Sequence, residues 1–391
     1  MLIKYTNKIS FNYWLEKFYV IKSKNKLKER SEVMKFVHIA DLHLDSPFTS
    51  LSTKGDLGNI RRLEQRKVLK KVIDYIKENN INYLFIAGDL YENEYVKKSS
   101  IEYINNLFQE IPNTKIFITP GNHDPYIMNS YYDTYEFASN VYIFKGEIEK
   151  VEEEEVNIYG MAFTSFYMEN DEINNFVLPI SSKPNIFIAH CDLNGSKDEN
   201  GFSYNPVYET KLKALNFDYI ALGHIHTTNF IQGKENKILY PGSPISLGFD
   251  ELGKHGMIVG EISGSRVKTE FIELDDREFI EFEVNVEPFN SKEELILNIS
   301  EKNLLENNFY KIILVGKRNF EIDTREILKL VARDNVLKVK DFTKTNYNLE
   351  ELAKENNLRG YFVREALKKL EEGKATKEEI EKAIEIGLES M

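Results

Sequence analysis

From residue 34 onward, short apolar runs alternate with longer stretches in which apolar residues recur every three or four positions. The runs at 35–40, 82–87, 115–119, 185–189 and 218–222 predict strands. The stretches near 61–79 and 95–110 predict helices; the first carries Val68, Val72, Ile73 and Ile76 on one stripe. Strand and helix alternating in this way imply an α/β fold with a sheet covered on both faces. Further strands are expected around 141–162 and at 236–240, 256–262 and 266–274, with Glu152–Glu155 as a solvated hairpin or loop edge. After Asp275-Asp276-Arg277 the rhythm changes. A strand (278–286), a helix opened by the box Ser291-Lys-Glu-Glu294, a strand (309–315), a helix (323–333) and a strand (335–341) predict a small α+β domain. From about 348 only helical signals remain, one stretch stopping at Gly373 and another starting with the box Thr376-Lys-Glu-Glu379. The expected divisions are therefore 34–275, 276–345 and 346–391.

Residues 1–33 do not share this pattern. They hold eight Lys/Arg against three Asp/Glu, a charge of +5, and the only Trp, Trp14. Glu29-Arg30-Ser31 can be encoded by a stretch containing the ribosome-binding AGGAG, and Met34 opens a clean strand. The expectation is a non-native or mobile N-terminal extension.

The chain of 391 residues is long enough for two or three domains. With 42% hydrophobic residues it is expected to pack a core. No apolar run approaches the roughly 20 residues that span a bilayer, and Phe11 to Ile21 is interrupted by Asn12, Glu16 and Lys17. A cytoplasmic protein without membrane contact is expected. The lone Cys191 excludes an internal disulfide and reads as a small buried hydrophobe. The net charge of −12 (−17 beyond residue 33) opposes duplex binding unless metal ions, local basic patches or a partner offset it.

Five motifs at the ends of the expected strands carry the candidate chemistry: Asp41-Leu-His43, Gly88-Asp89, Gly121-Asn-His-Asp124, His190 and Gly223-His-Ile-His226. In extended chain a period of two puts Asp41 and His43 on one side, and His224 and His226 repeat the device. Gly88 would let the backbone turn and aim Asp89 over the sheet edge. Loops at the carboxyl ends of strands meet in one crevice in an open α/β sheet. Imidazoles, carboxylates and one amide gathered there make a site for two divalent metals. His38, inside a strand, and His255, in a turn, read as structural.

The order Asp-x-His, Gly-Asp, Gly-Asn-His-Asp, His, Gly-His-x-His resembles the calcineurin-like metallophosphoesterases over about residues 34–275. Within them, Ala40-Asp-Leu-His-Leu-Asp-Ser-Pro-Phe48 and Tyr240-Pro-Gly-Ser-Pro244 are similar to the SbcD-type DNA repair exonucleases, nearest to their YhaO branch. The resemblance implies a four-layer α/β/β/α sandwich with a small α+β cap domain and a helical C-terminal tail. It also implies one ion on Asp41, His43, Asp89 and His226, and a second on Asp89, Asn122, His190 and His224. Manganese is the implied metal. His123 matches the catalytic histidine, with Asp124 placed to orient its imidazole. Such a centre would hydrolyse a phosphodiester through an activated water and a clamp on the non-bridging oxygens, with His123 protonating the leaving oxygen or steadying the charge.

The implied role is a DNA exonuclease or endonuclease subunit in repair, working with an SMC-like ATPase, with a homodimer as a further implied assembly. Leu358, Phe362, Leu367 and Leu370, or Ile380, Ile384 and Leu388, could form apolar stripes for docking; the plainer reading packs these helices on their own domain. The acidic charge fits an alternative, a phosphoesterase for nucleotides or other small esters with Asp192–Pro206 as a specificity lid. A non-catalytic scaffold is a third reading, and it would be expected to have lost ligands.

Overall fold

In a computed structural model the protein is described for residues 33–48, 51, 55–169, 172–195, 197–264 and 266–391. The expected extension at 1–33 lies outside the described residues except for Val33. The chain divides into two compact units. One runs to Ser246 and resumes over Lys254–Asp275; the other comprises Leu247–Gly253 and Asp276–Met391.

The first unit holds two sheets. Strands β1 (Met34–Ile39), β2 (Tyr83–Ile86), β3 (Lys115–Ile118) and β4 (Val141–Ile143) precede β5 (Glu149–Glu152), β6 (Asn157–Gly160), β7 (Asn185–His190), β8 (Tyr219–Gly223), β9 (Ile238–Leu239), β10 (Gly256–Ser263) and β11 (Arg266–Glu273). The six-stranded sheet has the order β11-β10-β1-β2-β3-β4, and the five-stranded sheet β5-β6-β7-β8-β9. The strands that end in the motifs pair in parallel: β1 with β2, β2 with β3, and β7 with β8.

Period-two alternation sorts the side chains into layers. Val37, Ile39, Leu84, Ile86, Ile116 and Ile118 pack against Val68, Leu69, Val72 and Ile76 of the helix Leu57–Asn79 and Ile101, Ile104 and Phe108 of the helix Lys98–Gln109. Phe36, Phe85 and Phe117 point the other way and meet Ile158, Ile186, Ile188, Tyr219 and Ala221 of the second sheet. The opposite face of that sheet, with Phe187, Ile220 and Leu222, is covered by Leu212 and Leu215 of the helix Glu209–Leu215. The result is the helix, sheet, sheet, helix sandwich expected from the motifs.

His38 lies in the layer between the sheets. Its Nδ1 sits 2.9 Å from the Tyr219 hydroxyl and its Nε2 3.2 Å from the Leu222 carbonyl, so one imidazole ties β1 to β8. Burial pushes its pKa down to about 3, against a weaker opposing effect of the Leu222 carbonyl.

In the second unit, β12 (Phe279–Asn285), β13 (Phe309–Val315), β14 (Lys317–Arg318), β15 (Val336–Asp341) and β16 (Lys344–Thr345) form a parallel sheet of order β12-β13-β15 and a small β14-β16 pair. Leu295 and Ile299 of the helix Lys292–Glu301 and Ile327 of the helix Thr324–Val331 share its core with Ile312 and Leu314. The Ser291 side chain caps Glu294 as expected, but Glu294 reaches the amide of Asn290 and not that of Ser291. At Thr376 both halves of the box form. The tail helices Leu358–Glu371 and Lys377–Glu389 build a core of Val363, Ala366, Ile380, Ile384 and Leu388, with Phe362, Leu367 and Leu370 against it. Both candidate stripes are thus mainly internal, and Leu358 alone of them stays 69% exposed. Among the described residues no helix is long and apolar enough to cross a membrane.

Candidate metal centre

All five motifs follow or end parallel strands of the two sheets: β1, β2 and β3 of the first, β7 and β8 of the second. The backbone at the ligand positions is not the extended chain that the spacing suggested. Asp41 (φ 54°), His43 (φ 47°), Asp89 (φ 52°) and His224 (φ 106°) all adopt left-handed conformations. Such a conformation costs a non-glycine residue about 1–3 kcal/mol and persists only where the surroundings enforce it. Here the enforcement is visible. Asp41 N–H donates to the Gly88 carbonyl (3.1 Å) and His43 N–H to the Asp89 carbonyl (2.9 Å). The buried Gln65 carboxamide donates to the carbonyls of Leu42 (3.1 Å) and His43 (2.9 Å).

Close approach requires glycine in these motifs. A Cβ on Gly88, whose φ is +90°, would lie 2.3 Å from His190 Nδ1, and one on Gly121 would lie 2.2 Å from Asp89 Oδ1.

Among the described residues, three sets of potential ligand atoms each lie within 4.8 Å of one another: Asp41, His43 and His226; His43, Asp89 and His123; Asp41, Asp89 and His190. Asn122 Oδ1 is 2.9 Å from His190 Nε2. Asp89 Oδ2 stands between the two halves, 3.2 Å from His190 Nε2 and 3.6 Å from His43 Nε2. His43 Nε2 and His226 Nε2 converge to 3.1 Å. His224 and His226 therefore diverge: His226 joins the His43 half, while the His224 ring lies beside His190, centroids 5.3 Å apart, and belongs to none of the three sets. The His224 amide donates to both Asp41 oxygens, at 2.9 and 3.2 Å.

The tautomers follow from the partners. His190 Nδ1 donates to the Ala87 carbonyl (2.9 Å), which can only accept, and His43 Nδ1 donates to Glu92 Oε1 (2.8 Å). Both bonds turn Nε2 toward the centre, the arrangement that orients metal-ligating histidines.

Asp124 does not orient His123. Its buried carboxylate accepts the amides of Asp89 (3.0 Å), Leu90 (2.7 Å) and Gly121 (2.7 Å) and the Tyr132 hydroxyl (2.8 Å), and so clamps two of the motif loops together. The carboxylate on the His123 ring is Glu92, whose Oε2 is 3.0 Å from Nδ1. The sequence reading missed Glu92; its signal was an acidic residue three places after Asp89. Burial works to lower the His123 pKa, but the hydrogen bond to Glu92 and the charges of Asp89 and Glu92 prevail and lift it to about 9.

Donor chemistry and charge both fit divalent cations. Asp41, Asp89 and Asp124 are buried and Glu92 nearly so, yet among the described residues no Lys or Arg side chain pairs with any of them. Burying that much negative charge is costly unless cations offset it, and the imidazoles of His43, His123 and His190 are the side chains placed to do so. Burial raises the Asp41 pKa. For Asp89 burial acts in the same direction, but His190 and His43 hold its carboxyl well below the usual range.

Residues 34–228 match the sequence profile of the calcineurin-like phosphoesterases. The match covers just under half of the chain. The chain is also similar to a Bacillus subtilis (strain 168) protein described as the uncharacterised metallophosphoesterase YhaO, 24% identical over 250 residues, which cover 62% of this chain and 60% of that protein. The match thus spans about three-fifths of the relative's length. Among solved structures, similarity extends to purple acid phosphatase PPD1 of yellow lupin, Lupinus luteus (12% identity, 62% of this chain and 52% of that one, TM-score 0.36), and to the protein TT1561 of Thermus thermophilus (11%, 61% and 99%, TM-score 0.34).

Outside the motifs, Tyr240 and Ser243 of the Tyr-Pro-Gly-Ser-Pro segment brace the site's loops. The Tyr240 hydroxyl donates to the Cys191 carbonyl (2.8 Å), and the Ser243 amide donates to the His226 carbonyl (3.0 Å). His255 Nδ1 lies 2.9 Å from Ser243 Oγ, which gives the turn histidine a supporting role. Cys191 is buried, and burial pushes its thiol up to about 12.

Proposed function

We propose that this chain is a calcineurin-like, two-metal phosphodiesterase acting on DNA. The observation that carries the two-metal reading is Asp89 Oδ2, placed within 3.2 Å of His190 Nε2 and 3.6 Å of His43 Nε2 at the seam of two ligand sets. Asp41, His43, Asp89 and His226 would hold one ion, and Asp89, Asn122, His190 and His224 the other. Manganese suits such mixed nitrogen and oxygen ligation. A pair of divalent ions supplies positive charge against the phosphate and acidifies a water nucleophile.

The chain's own groups complete the chemistry. Glu92 holds His123 through Nδ1, which leaves Nε2 to present a proton to the leaving oxygen. The ring is 46% exposed, open to an incoming ester. Asp124 keeps the loops of Asp89 and His123 in register, so that donor and ligands share one frame.

DNA as the substrate is supported by the SbcD-like segments Ala40–Phe48 and Tyr240–Pro244, and so is an SMC-like ATPase as partner. The acidic charge beyond residue 33 supports the second reading, hydrolysis of a small phosphate ester. One assay separates them: protein with Mn²⁺ is offered duplex DNA, single-stranded DNA and a chromogenic small diester, with Asp89→Ala as control. The nuclease reading expects DNA cleavage that Asp89→Ala abolishes. Cleavage of the small diester alone would favour the second reading. For the partner, removal of 348–391 with unchanged capture of the ATPase would reject docking through the tail, whose candidate stripes are mainly internal.

A further inference from the structure

Beside His224 the surface carries a cluster of aromatic rings that the hydrolytic residues do not use. The Tyr204 ring lies nearly parallel to the His224 ring, at 27° with centroids 5.3 Å apart. Tyr167 lies 5.8 Å from Tyr204 and stacks on Phe202 at 3.8 Å and 11°. Tyr167 and Phe202 remain 43% and 40% exposed, and neighbouring Phe166 40%.

This exposure is held in place. The Met168 amide donates to the Ser203 carbonyl (2.9 Å) and the Asn205 amide to the Met168 carbonyl (2.7 Å), fastening the two ring-bearing segments together. Asp198 accepts the amides of Asn200 (2.9 Å) and Phe202 (2.8 Å) and the Tyr204 hydroxyl (3.1 Å). The Asn205 side chain donates to the His190 carbonyl (3.0 Å), which anchors the cluster to the metal centre. The nearby cation Lys197 is paired with Glu169 at 3.0 Å, and Asp198 and Glu199 add negative charge. Such a surface suits a flat, uncharged ring better than a phosphate.

We infer that the Tyr167–Phe202 stack is a platform for an unpaired nucleobase of the substrate whose phosphodiester lies at the metal centre. The inference rests on the phosphodiesterase reading above and names its substrate as a nucleotide with an accessible base. Every base offers a π-face, so the platform tolerates sequence, and aromatic stacking of this kind is worth roughly 5- to 150-fold in affinity per base. The base could come from an unpaired DNA strand or from a free nucleotide.

The test is equilibrium binding to the full chain. Fluorescent phosphorothioate oligothymidylate, which resists cleavage, is compared with the same backbone lacking bases, both in Mn²⁺. The base-bearing strand is expected to bind about tenfold tighter or more. Tyr167→Ala with Phe202→Ala should erase that difference while leaving the abasic strand's affinity unchanged, and Tyr167→Phe should retain it. Equal binding of the two strands by the unaltered protein, or an unchanged difference in the double variant, would overturn the platform. Competition by thymidine monophosphate as potent as the strand would identify the small nucleotide as source; much weaker competition would identify the strand. DNA cleavage is scored separately, so a retained base preference without cleavage would reject the nuclease reading and leave the platform standing.

Discussion

The Glu92 carboxylate serves two imidazoles at once, His43 through Oε1 at 2.8 Å and His123 through Oε2 at 3.0 Å. Glu92→Gln keeps the shape but presents an N–H₂ group to one imidazole N–H, so one of the two bonds is lost. Activity is expected to fall about 10- to 100-fold, the usual cost of losing a partner behind a metal ligand; kcat and Mn²⁺ affinity measured together check this. Gly121→Ala should be harsher, because its Cβ would arrive 2.2 Å from Asp89 Oδ1. Metal analysis of the purified variant should show depleted binding in a folded protein. The ligand types were legible as residues in motifs. Glu92 was not, because a carboxylate three places past Asp89 looks like any surface acid until the fold brings His43 and His123 to it. Asp124 misled for the opposite reason: adjacency to His123 in sequence does not bring its side chain to the ring, and it faces the amides of Asp89, Leu90 and Gly121.

Strands and helices were legible wherever one face is buried against another layer. The predicted run at 35–40 became β1, Met34–Ile39, because Val37 and Ile39 face helices while Phe36 faces the second sheet. The loops were not legible. Left-handed φ angles at Asp41, His43, Asp89 and His224 arise from hydrogen bonds between segments far apart in sequence. Within β1, His38 predicts a pH dependence. Its pKa falls from 6.5 unfolded to about 3 folded, so the unfolded chain binds the extra proton between those values. The stability His38 contributes is fully present above pH 6.5 and is lost toward pH 3, by about 1.4 kcal/mol per pH unit. Denaturant titrations at pH 7 and 5 should show His38→Gln less sensitive to acid than the unaltered protein. In the tail, Thr376→Ala removes a complete capping box and should cost about 1 kcal/mol, visible as a lower midpoint for that part of the chain by hydrogen exchange.

At the scale of the whole molecule, a chain with net charge −12 concentrates buried carboxylates at the ends of parallel strands and leaves them without Lys or Arg partners among the described residues. Ions that bind only the folded state should therefore stabilise it. At a thousandfold excess over its Kd a divalent metal adds about 4 kcal/mol, and Asp89→Ala should lose most of that shift in thermal unfolding. The two-ion centre is tested most directly by electron paramagnetic resonance of the protein titrated with Mn²⁺. Two ions per chain with an exchange-coupled spectrum, collapsing to uncoupled Mn²⁺ in Asp89→Ala, is the predicted result. A single bound ion, or two ions without coupling in the unaltered protein, would contradict it.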